Sequence, residues 1–408
     1  MRMSGALATR YRGMRRDLAT VLGGLIGRRP PVLVRRPPRA PSAASSDGAA
    51  APKASALAAR SLRVAEVRKL TSDAVAIALD DPSGRPISFV PGQFLTVLVE
   101  VGGERLRRAY SISSSHLERD QVEIAVKRVL GGRVSNYLND NLRAGDTLSV
   151  HGPSGSFTLT PTPERRRRLV LFAGGSGITP ILAIARAAAV GEPETSIHLV
   201  YGNRRESDIM YRDELDALAA EHPDTLRVRH VLSEPPEGWS GGCGMLDPEI
   251  ALAEVDRIAA ESEAMSEGDT FYYLCGPEPM MAAVRGVLAE RGVAAEQVFE
   301  ERFSAPHRRK DVDRGAIHAA QPAAIQARGA VREVDVAPGQ TLLDAGLEAN
   351  LPMPFSCTMG GCGACKVKLV EGSVAMEEPN CLGDGEREEG YVLACVSRPT
   401  SAVRVEVG

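Results

Sequence analysis

The sequence predicts a multidomain protein: a basic extension, an antiparallel β-barrel, an α/β unit on a parallel sheet, and a small cysteine-rich unit closing the chain. Three observations carry this. The 408 residues, 43% hydrophobic and 25% charged, suffice for two or three cores. Short alternating apolar runs give way near residue 165 to apolar strands that alternate with helical stretches. Five of the seven cysteines fall between 357 and 395.

The extension is electrostatically distinct from the body. Residues 1–60 hold twelve Lys or Arg against Asp17 and Asp47, so the remainder of a chain of net charge −3 carries −13. Leu7, Tyr11, Met14, Leu18, Leu22 and Leu25 recur at steps of three and four with Arg10, Arg12, Arg15 and Arg16 between them. That is a basic amphipathic helix suited to an anionic membrane surface or an acidic partner. Gly13, Gly23 and Gly24 weaken it, so a solvated extension is the equal alternative. Residues 29–53, rich in Pro, Ala and Ser, read as linker.

Arg15-Arg16 before "LATVLGGLIG" faintly resembles an export signal, but the apolar run is short and closed by Arg28 and Arg29. No run reaches the ~18 apolar residues of a spanning helix. The uneven cysteine spacing fits a reducing compartment better than a disulfide frame. A cytoplasmic protein, able to sit peripherally at the inner membrane surface, is expected, with no nucleic-acid partner.

"LRVAEVRKL", "AVAIAL", "FLTVLVEV" and "VEIAVKRV", punctuated by Gly, Pro and Asp, predict the barrel over 61–164. Within it "RRAYSISSS" sets Arg108 and Tyr110 at alternate strand positions with Ser111 beside them. Such a trio can bind a phosphate, stack on a ring and hydrogen-bond a heteroatom, although an exposed strand would read the same. "VKRVLGGRVSNYL" adds Gly131, Gly132 and Ser135, a small-residue turn with a hydroxyl at a helix start.

"RLVLFAGG", "SIHLVYG", "LRVRHVL" and "TFYYLCG", with "ILAIARAAAV", "RDELDALAAEH" and "EPMMAAVRGVLAERG" between or after them, predict the parallel sheet over 165–304. Gly174, Gly175 and Gly177 follow its first strand, and Thr179 and Pro180 predict the next helix's N-cap and first position. A turn of this kind aims helix N–H groups at a pyrophosphate, and an ordinary tight turn is the alternative.

A polar connection, 305–323, leads to the last unit, 324–408. Cys357, Cys362 and Cys365 are spaced C-x4-C-x2-C, with Cys395 after twenty-nine further residues. That spacing suits a plant-type [2Fe-2S] cluster, and the small residues among the cysteines let backbone N–H groups approach the sulfides. Zinc fits less well, since only one short cysteine pair is present. Cys381 could replace Cys395 as fourth ligand, but it lies in a polar loop whereas Cys395 lies in an apolar, strand-like run.

In order, "PGQF", "RAYSIS", "KRVLGGRVSNYL", "GGSGITP", "YGNRRESDIMYRDEL", "CGPEPMM", "EERFSAP" and the cysteine set resemble the ferredoxin–NADP reductase superfamily with a C-terminal plant-type ferredoxin domain. The similarity is greatest to oxygenase reductase components such as those of phenylacetyl-CoA epoxidase and ketosteroid hydroxylase, and it covers about 62–408. It implies an FAD-binding barrel, an NAD(P)-binding α/β domain and an α+β (β-grasp) ferredoxin domain.

The resemblance also implies roles. Arg108 and Ser135 would contact the FAD pyrophosphate, Tyr110 would stack on the isoalloxazine, and Ser111 would hydrogen-bond near its reactive nitrogen. Ile112, Lys127, Gly132 and Val134 would complete the FAD contacts. Gly174, Gly175, Ser176, Gly177 and Thr179 would hold the pyridine nucleotide's pyrophosphate, and Cys275, Gly276 and Pro277 would flank the nicotinamide. Glu301 and Phe303 resemble the acidic and aromatic residues near the flavin edge. Cys275 also reads as a buried small residue ending a strand. Arg204 and Arg205 follow "IHLVYGN", where a 2′-phosphate would lie, giving a slight lean to NADPH; a solvated loop is the alternative.

The activity implied is an NAD(P)H-dependent oxidoreductase. A nicotinamide gives two electrons and a cluster carries one, so a flavin must stand between them. Electrons would pass from NAD(P)H through FAD and [2Fe-2S] to a terminal oxygenase, hydroxylase, epoxidase or desaturase, with the protein a monomer. A non-oxygenase acceptor such as a hybrid-cluster protein, or a redox-sensing regulatory role, are the alternatives.

Overall fold

The computed structural model describes residues 59–261, 269–303, 319–355, 358, 360, 363–377, 380, 382 and 384–407. The amphipathic helix and linker expected in the extension, and most of the connection at 305–323, lie outside these residues. All the described residues belong to one compact unit, Ala54–Gly408.

Strands β1 (Arg60–Thr71), β2 (Ala74–Asp80), β3 (Phe94–Val101), β4 (Glu104–Ser111), β5 (Gln121–Lys127) and β6 (Thr147–Ser154) form an antiparallel sheet in the order β4-β3-β6-β1-β2-β5. Ile112, just past β4, bridges Ile124 of β5, so the two outer strands meet and the sheet closes into a barrel. Alternation makes the barrel possible: Leu62 and Val64, Ile77 and Leu79, and Val122, Ile124 and Val126 all point into one core. Helix α1 (Arg133–Asn141) adds Val134 and Leu138, one turn apart, to that core.

The second unit runs β7 (Arg168–Gly174), α2 (Ile178–Gly191), β8 (Ser196–Asn203), α3 (Arg212–Glu221), β9 (Leu226–Leu232), β10 (Gly242–Cys243), α4 (Pro248–Ala260), β11 (Thr270–Cys275), α5 (Glu278–Glu290) and β12 (Val298–Glu301). Its six strands are parallel in the order β10-β9-β8-β7-β11-β12. Every residue of β7 is buried, as expected of a strand covered on both faces. Strand order reverses between β7 and β11, so a crevice opens at their C-terminal ends. The core under α2 and α3 takes in Ala74, Ala76 and Ala125 from the barrel, where small side chains let the two units share one apolar contact.

Helix α2 does not start where the sequence predicts. A 3₁₀ turn over Gly175–Gly177 leads into it, its N-cap is Gly177, and Thr179 falls inside the first turn with its hydroxyl donating to Ser176 O at 3.0 Å. Pro180 is tolerated there because amides of a first turn have no intrahelical acceptor.

The last unit comprises β13 (Gln321–Ala327), β14 (Ala330–Val336), α6 (Leu342–Glu348), β15 (Lys366–Glu371), β16 (Val374–Met376), α7 (Asp384–Glu388), β17 (Tyr391–Leu393), β18 (Ser397–Pro399) and β19 (Val403–Glu406). Its main sheet is β14-β13-β19-β15-β17, with β13 parallel to β19 and α6 buried against it, which is the β-grasp arrangement. Arg328 and Gly329, with φ of 50° and 81°, make the two-residue turn joining β13 to β14. Among the described residues the core of this unit, Ala323 to Val405, shares no side chain with the other two.

Candidate active site

Arg108 and Tyr110 lie on one face of β4, opposite Val97 and Leu95 of β3. Both are half-buried. Burial drives the Tyr110 phenol well above its ordinary pKa, more strongly than Arg108 lowers it. Tyr110 is therefore a neutral ring and hydrogen-bonding group, not a proton donor at neutral pH. Ile112 is wholly buried in the barrel core, and its amide donates to Gln93 O at 2.9 Å. Lys127 ends β5 with its Nζ 3.6 Å from Asp73 Oδ2.

The turn into α1 is shaped by packing as well as by freedom. Gly131 has φ of 70° and open space beside it, whereas a Cβ on Gly132 would come 2.5 Å from Ser135 Oγ. That hydroxyl accepts from Val129 N at 3.1 Å and so braces the turn. Ser135 and Val134 are both buried in the first turn of α1, and the N-cap is Gly132.

The glycines after β7 likewise divide. A Cβ on Gly177 would overlap the Cys275 carbonyl; one on Gly174 would lie 2.7 Å from Pro277, and one on Gly276 would lie 2.9 Å from Gly174 N. These three are required because the loops leaving β7 and β11 abut. Gly175 alone, at φ of 52°, faces open space, and its carbonyl accepts from Tyr201 at 2.9 Å.

Helices α1 and α2 share a further property. Neither has a side-chain cap or an acidic residue in its first turn, whereas α3, α4, α5 and α6 each carry Asp or Glu there. The start of α1 and the 3₁₀ turn into α2, where the Ile178 amide is taken by Gly175 O and Ser176 O, thus carry no side-chain anion of their own, and each lies beside a glycine with left-handed φ and open space. This fits two pyrophosphates, one belonging to FAD and one to a pyridine nucleotide.

Cys275 ends β11 and pairs in register with Glu301, the last residue of β12. It is fully buried, and burial first, then Glu301, pushes its thiol well above the ordinary pKa, so it stays protonated. Ser111, 2% exposed, donates to Glu301 Oε2 at 3.2 Å, bringing the end of β4 against the end of the parallel sheet. Phe303 follows β12 and is 41% exposed.

Arg204 and Arg205 lie exposed past β8, each with a carboxylate: Arg204 Nε is 3.5 Å from Asp208 Oδ2, and Arg205 Nε is 2.6 Å from Glu234 Oε2. Nothing in the sequence announces the second of these partners, because nothing local links residue 205 to 234. Equally unannounced are the stack of Tyr273 on Phe299, 4.7 Å between centroids, and the bonding of Tyr211 to the barrel.

In the terminal unit Cys365 and Cys395 are buried with their sulfurs 3.1 Å apart, in hydrogen-bond contact and not joined by a disulfide. Gly360 N donates to Cys395 Sγ at 3.2 Å. Thr358, Gly360 and Gly363, at φ of 56°, 77° and 71°, put left-handed residues at short intervals, a backbone form that turns amides toward an anionic centre. Cys357, Cys362 and the spare Cys381 lie outside the described residues. Two thiols converging on one buried point, with an amide donating to sulfur, fit a thiolate-held cluster. Arg107 Nη1 of β4 lies 3.6 Å from Asp344 Oδ1 of α6, so this unit touches the strand that carries Tyr110.

Comparison with known proteins assigns each part. An oxidoreductase FAD-binding domain model matches residues 61–159, an oxidoreductase NAD-binding domain 171–286, and a 2Fe-2S iron-sulfur cluster binding domain 325–400. The chain is 35% identical to a component of 1,2-phenylacetyl-CoA epoxidase from Escherichia coli K12, over 85% of this chain and 97% of that protein. It is 35% identical to the ferredoxin reductase component of 3-ketosteroid-9-alpha-monooxygenase from Mycobacterium tuberculosis H37Rv, over 83% and 93%. The solved structure of phthalate dioxygenase reductase matches with a TM-score of 0.57 at 26% identity, over 85% of this chain and 97% of that one.

Proposed function

The chain belongs to the family of oxygenase reductase components that join FAD-binding, NAD-binding and 2Fe-2S domains in one polypeptide, and from this premise we propose that it carries electrons from NAD(P)H to a terminal oxygenase. It is an NAD(P)H-dependent oxidoreductase. When bound, FAD takes two electrons as hydride and releases them singly, and the cluster carries one at a time. The relatives favour this reading over a hybrid-cluster acceptor or a redox sensor.

The chain's own residues supply position and proton control. Arg108 and the uncapped start of α1 would hold the FAD pyrophosphate, and the uncapped start of α2 would hold that of the coenzyme. Tyr110 would offer a neutral ring to the flavin. Ser111 Oγ, bonded to Glu301 Oε2, would hold or pass a proton where hydride is exchanged. Cys275, kept neutral, would shape the nicotinamide's floor without adding charge. Cys357, Cys362, Cys365 and Cys395 are the proposed cluster ligands.

The observation that carries the proposal is the Ser111–Glu301 contact, because it joins the flavin strand to the crevice of the parallel sheet. Purified protein mixed with NADH or NADPH should reduce cytochrome c in a cluster-dependent manner. Absence of reduction with both coenzymes would overturn the reading.

Three finer points belong to the proposal. Arg204 and Arg205 support a small NADPH preference, small because a 2′-phosphate must compete with Asp208 and Glu234. The acceptor is an oxygenase, hydroxylase, epoxidase or desaturase. No helix among the described residues is long and apolar enough to cross a membrane. Residues 1–60 are taken as the contact with an anionic membrane surface or an acidic partner, the protein acting as a monomer in the cytoplasm or at the inner membrane face. Co-purification of the acceptor with and without residues 1–60 tests this.

A further inference from the structure

Tyr211 is the N-cap of α3, held at φ 59° and ψ 30°, and is 1% exposed. A bulky residue in this left-handed region costs ~1 kcal/mol or more and persists where its surroundings fix it. Its ring packs in the core of its own unit, but the partners of its hydroxyl come from the barrel. The Tyr211 hydroxyl donates to Glu123 Oε1 of β5 at 2.9 Å and lies 2.8 Å from Ser113 Oγ. Arg68 Nη2 reaches Glu123 Oε2 at 3.2 Å, and Arg68 Nη1 reaches Glu214 Oε1 of α3 at 2.8 Å. From α2, Arg186 Nη1 donates to Ser113 O at 2.6 Å.

Ser113 is where these bonds converge, and its neighbours explain why that matters. Ser111, two residues earlier, bonds Glu301, and Ile112 between them closes the barrel. The nucleotide unit therefore grips the flavin strand at two points: Glu301 on Ser111, and Tyr211 with Arg186 on Ser113. Packing alone would be met by a Phe at 211; the hydroxyl with two barrel partners is a requirement of register.

We infer that Tyr211, acting through Ser113 and Glu123, is a positioning residue that sets how closely the nucleotide crevice approaches the flavin strand. It touches no reacting atom. The inference rests on the hydride-transfer reading above and names the interdomain bond on which its geometry depends.

Tyr211→Phe in the full-length holoprotein tests it. Flavin reduction by NADPH should slow by about tenfold, a fraction of the ~100-fold that a full 1 Å misplacement of reactants can cost. The isotope effect with 4-deuterated coenzyme should rise, and the KM should stay within about twofold. Amide exchange at 111–115 should quicken. Ser113→Ala, which keeps the ring, should behave alike and serves if Tyr211→Phe does not fold. Unchanged reduction rate and isotope effect, with only a lower unfolding midpoint, would overturn the inference and leave a structural role. A wild-type protein whose flavin is not reduced by either coenzyme would overturn the functional reading, and the inference with it.

Discussion

Ser111 Oγ donates to Glu301 Oε2 across 3.2 Å, although the two residues stand 190 positions apart. The bond joins the end of β4, where Tyr110 offers a neutral ring, to the end of β12, where Glu301 faces Cys275 in register. Glu301→Gln preserves shape and removes the carboxylate's capacity for a proton. Flavin reduction should fall by about 10²-fold with the KM little changed, the size expected when a positioned acid–base group is lost. Stopped-flow reduction checks it; an unchanged rate would remove Glu301 from the chemistry.

The glycines after β7 should respond in opposite ways. Gly177→Ala drives a Cβ into the Cys275 carbonyl and should destabilise the fold by about 3 kcal/mol, as overpacking does. Gly175→Ala meets open space at φ of 52°, so its stability cost should be only ~1 kcal/mol, and the larger effect should be weaker coenzyme binding. Urea unfolding and coenzyme titration separate the two.

Cys365→Ser should abolish the visible absorbance of the cluster and leave FAD bound, because the barrel core is independent of the terminal unit's core. An intact cluster spectrum in the variant would contradict the ligand assignment.

Asp344→Ala should slow flavin-to-cluster transfer a few-fold and spare hydride transfer. Its pair with Arg107 is part-exposed and is worth ~1 kcal/mol at most, with salt weakening it further. The swap of Arg107→Asp with Asp344→Arg should restore the rate. Failure of the swap alongside a slow single variant would point to another contact.

Acid should weaken the fold through its histidines. His198, 2% exposed, is held at about 4 rather than 6.5, chiefly by burial, which outweighs Glu261 at 3.9 Å. Between those values the unfolded chain binds a proton that the folded chain refuses, so stability falls as pH drops through this window, by about 3 kcal/mol when complete. His116, His151 and His230 are shifted the same way. His198→Gln should flatten the dependence seen in urea unfolding; an unchanged slope would reject the assignment.

Local spacing made much of this legible. The cysteine interval, the glycine turns after apolar strands and the change of texture near residue 165 are short-range signals, and each marks a unit seen in the fold. What stayed hidden depends on distant partners. Gly174 and Gly177 look like pyrophosphate residues in sequence, but their lack of a side chain answers to Pro277 and the Cys275 carbonyl, about a hundred positions away. Thr179 has the chemistry of a cap, yet the 3₁₀ turn starts the helix before it. Tyr211 sits in a motif legible as family likeness, but its bonds to Ser113 and Glu123 leave no local trace.

Electrons are claimed to move in one order, nicotinamide to flavin to cluster, and anaerobic rapid mixing with NADPH or NADH tests that order most directly. Flavin absorbance should bleach first and the cluster signal should change second, with Cys365→Ser stopping after the flavin. Reduction of the cluster before the flavin, or in protein stripped of FAD, would contradict it.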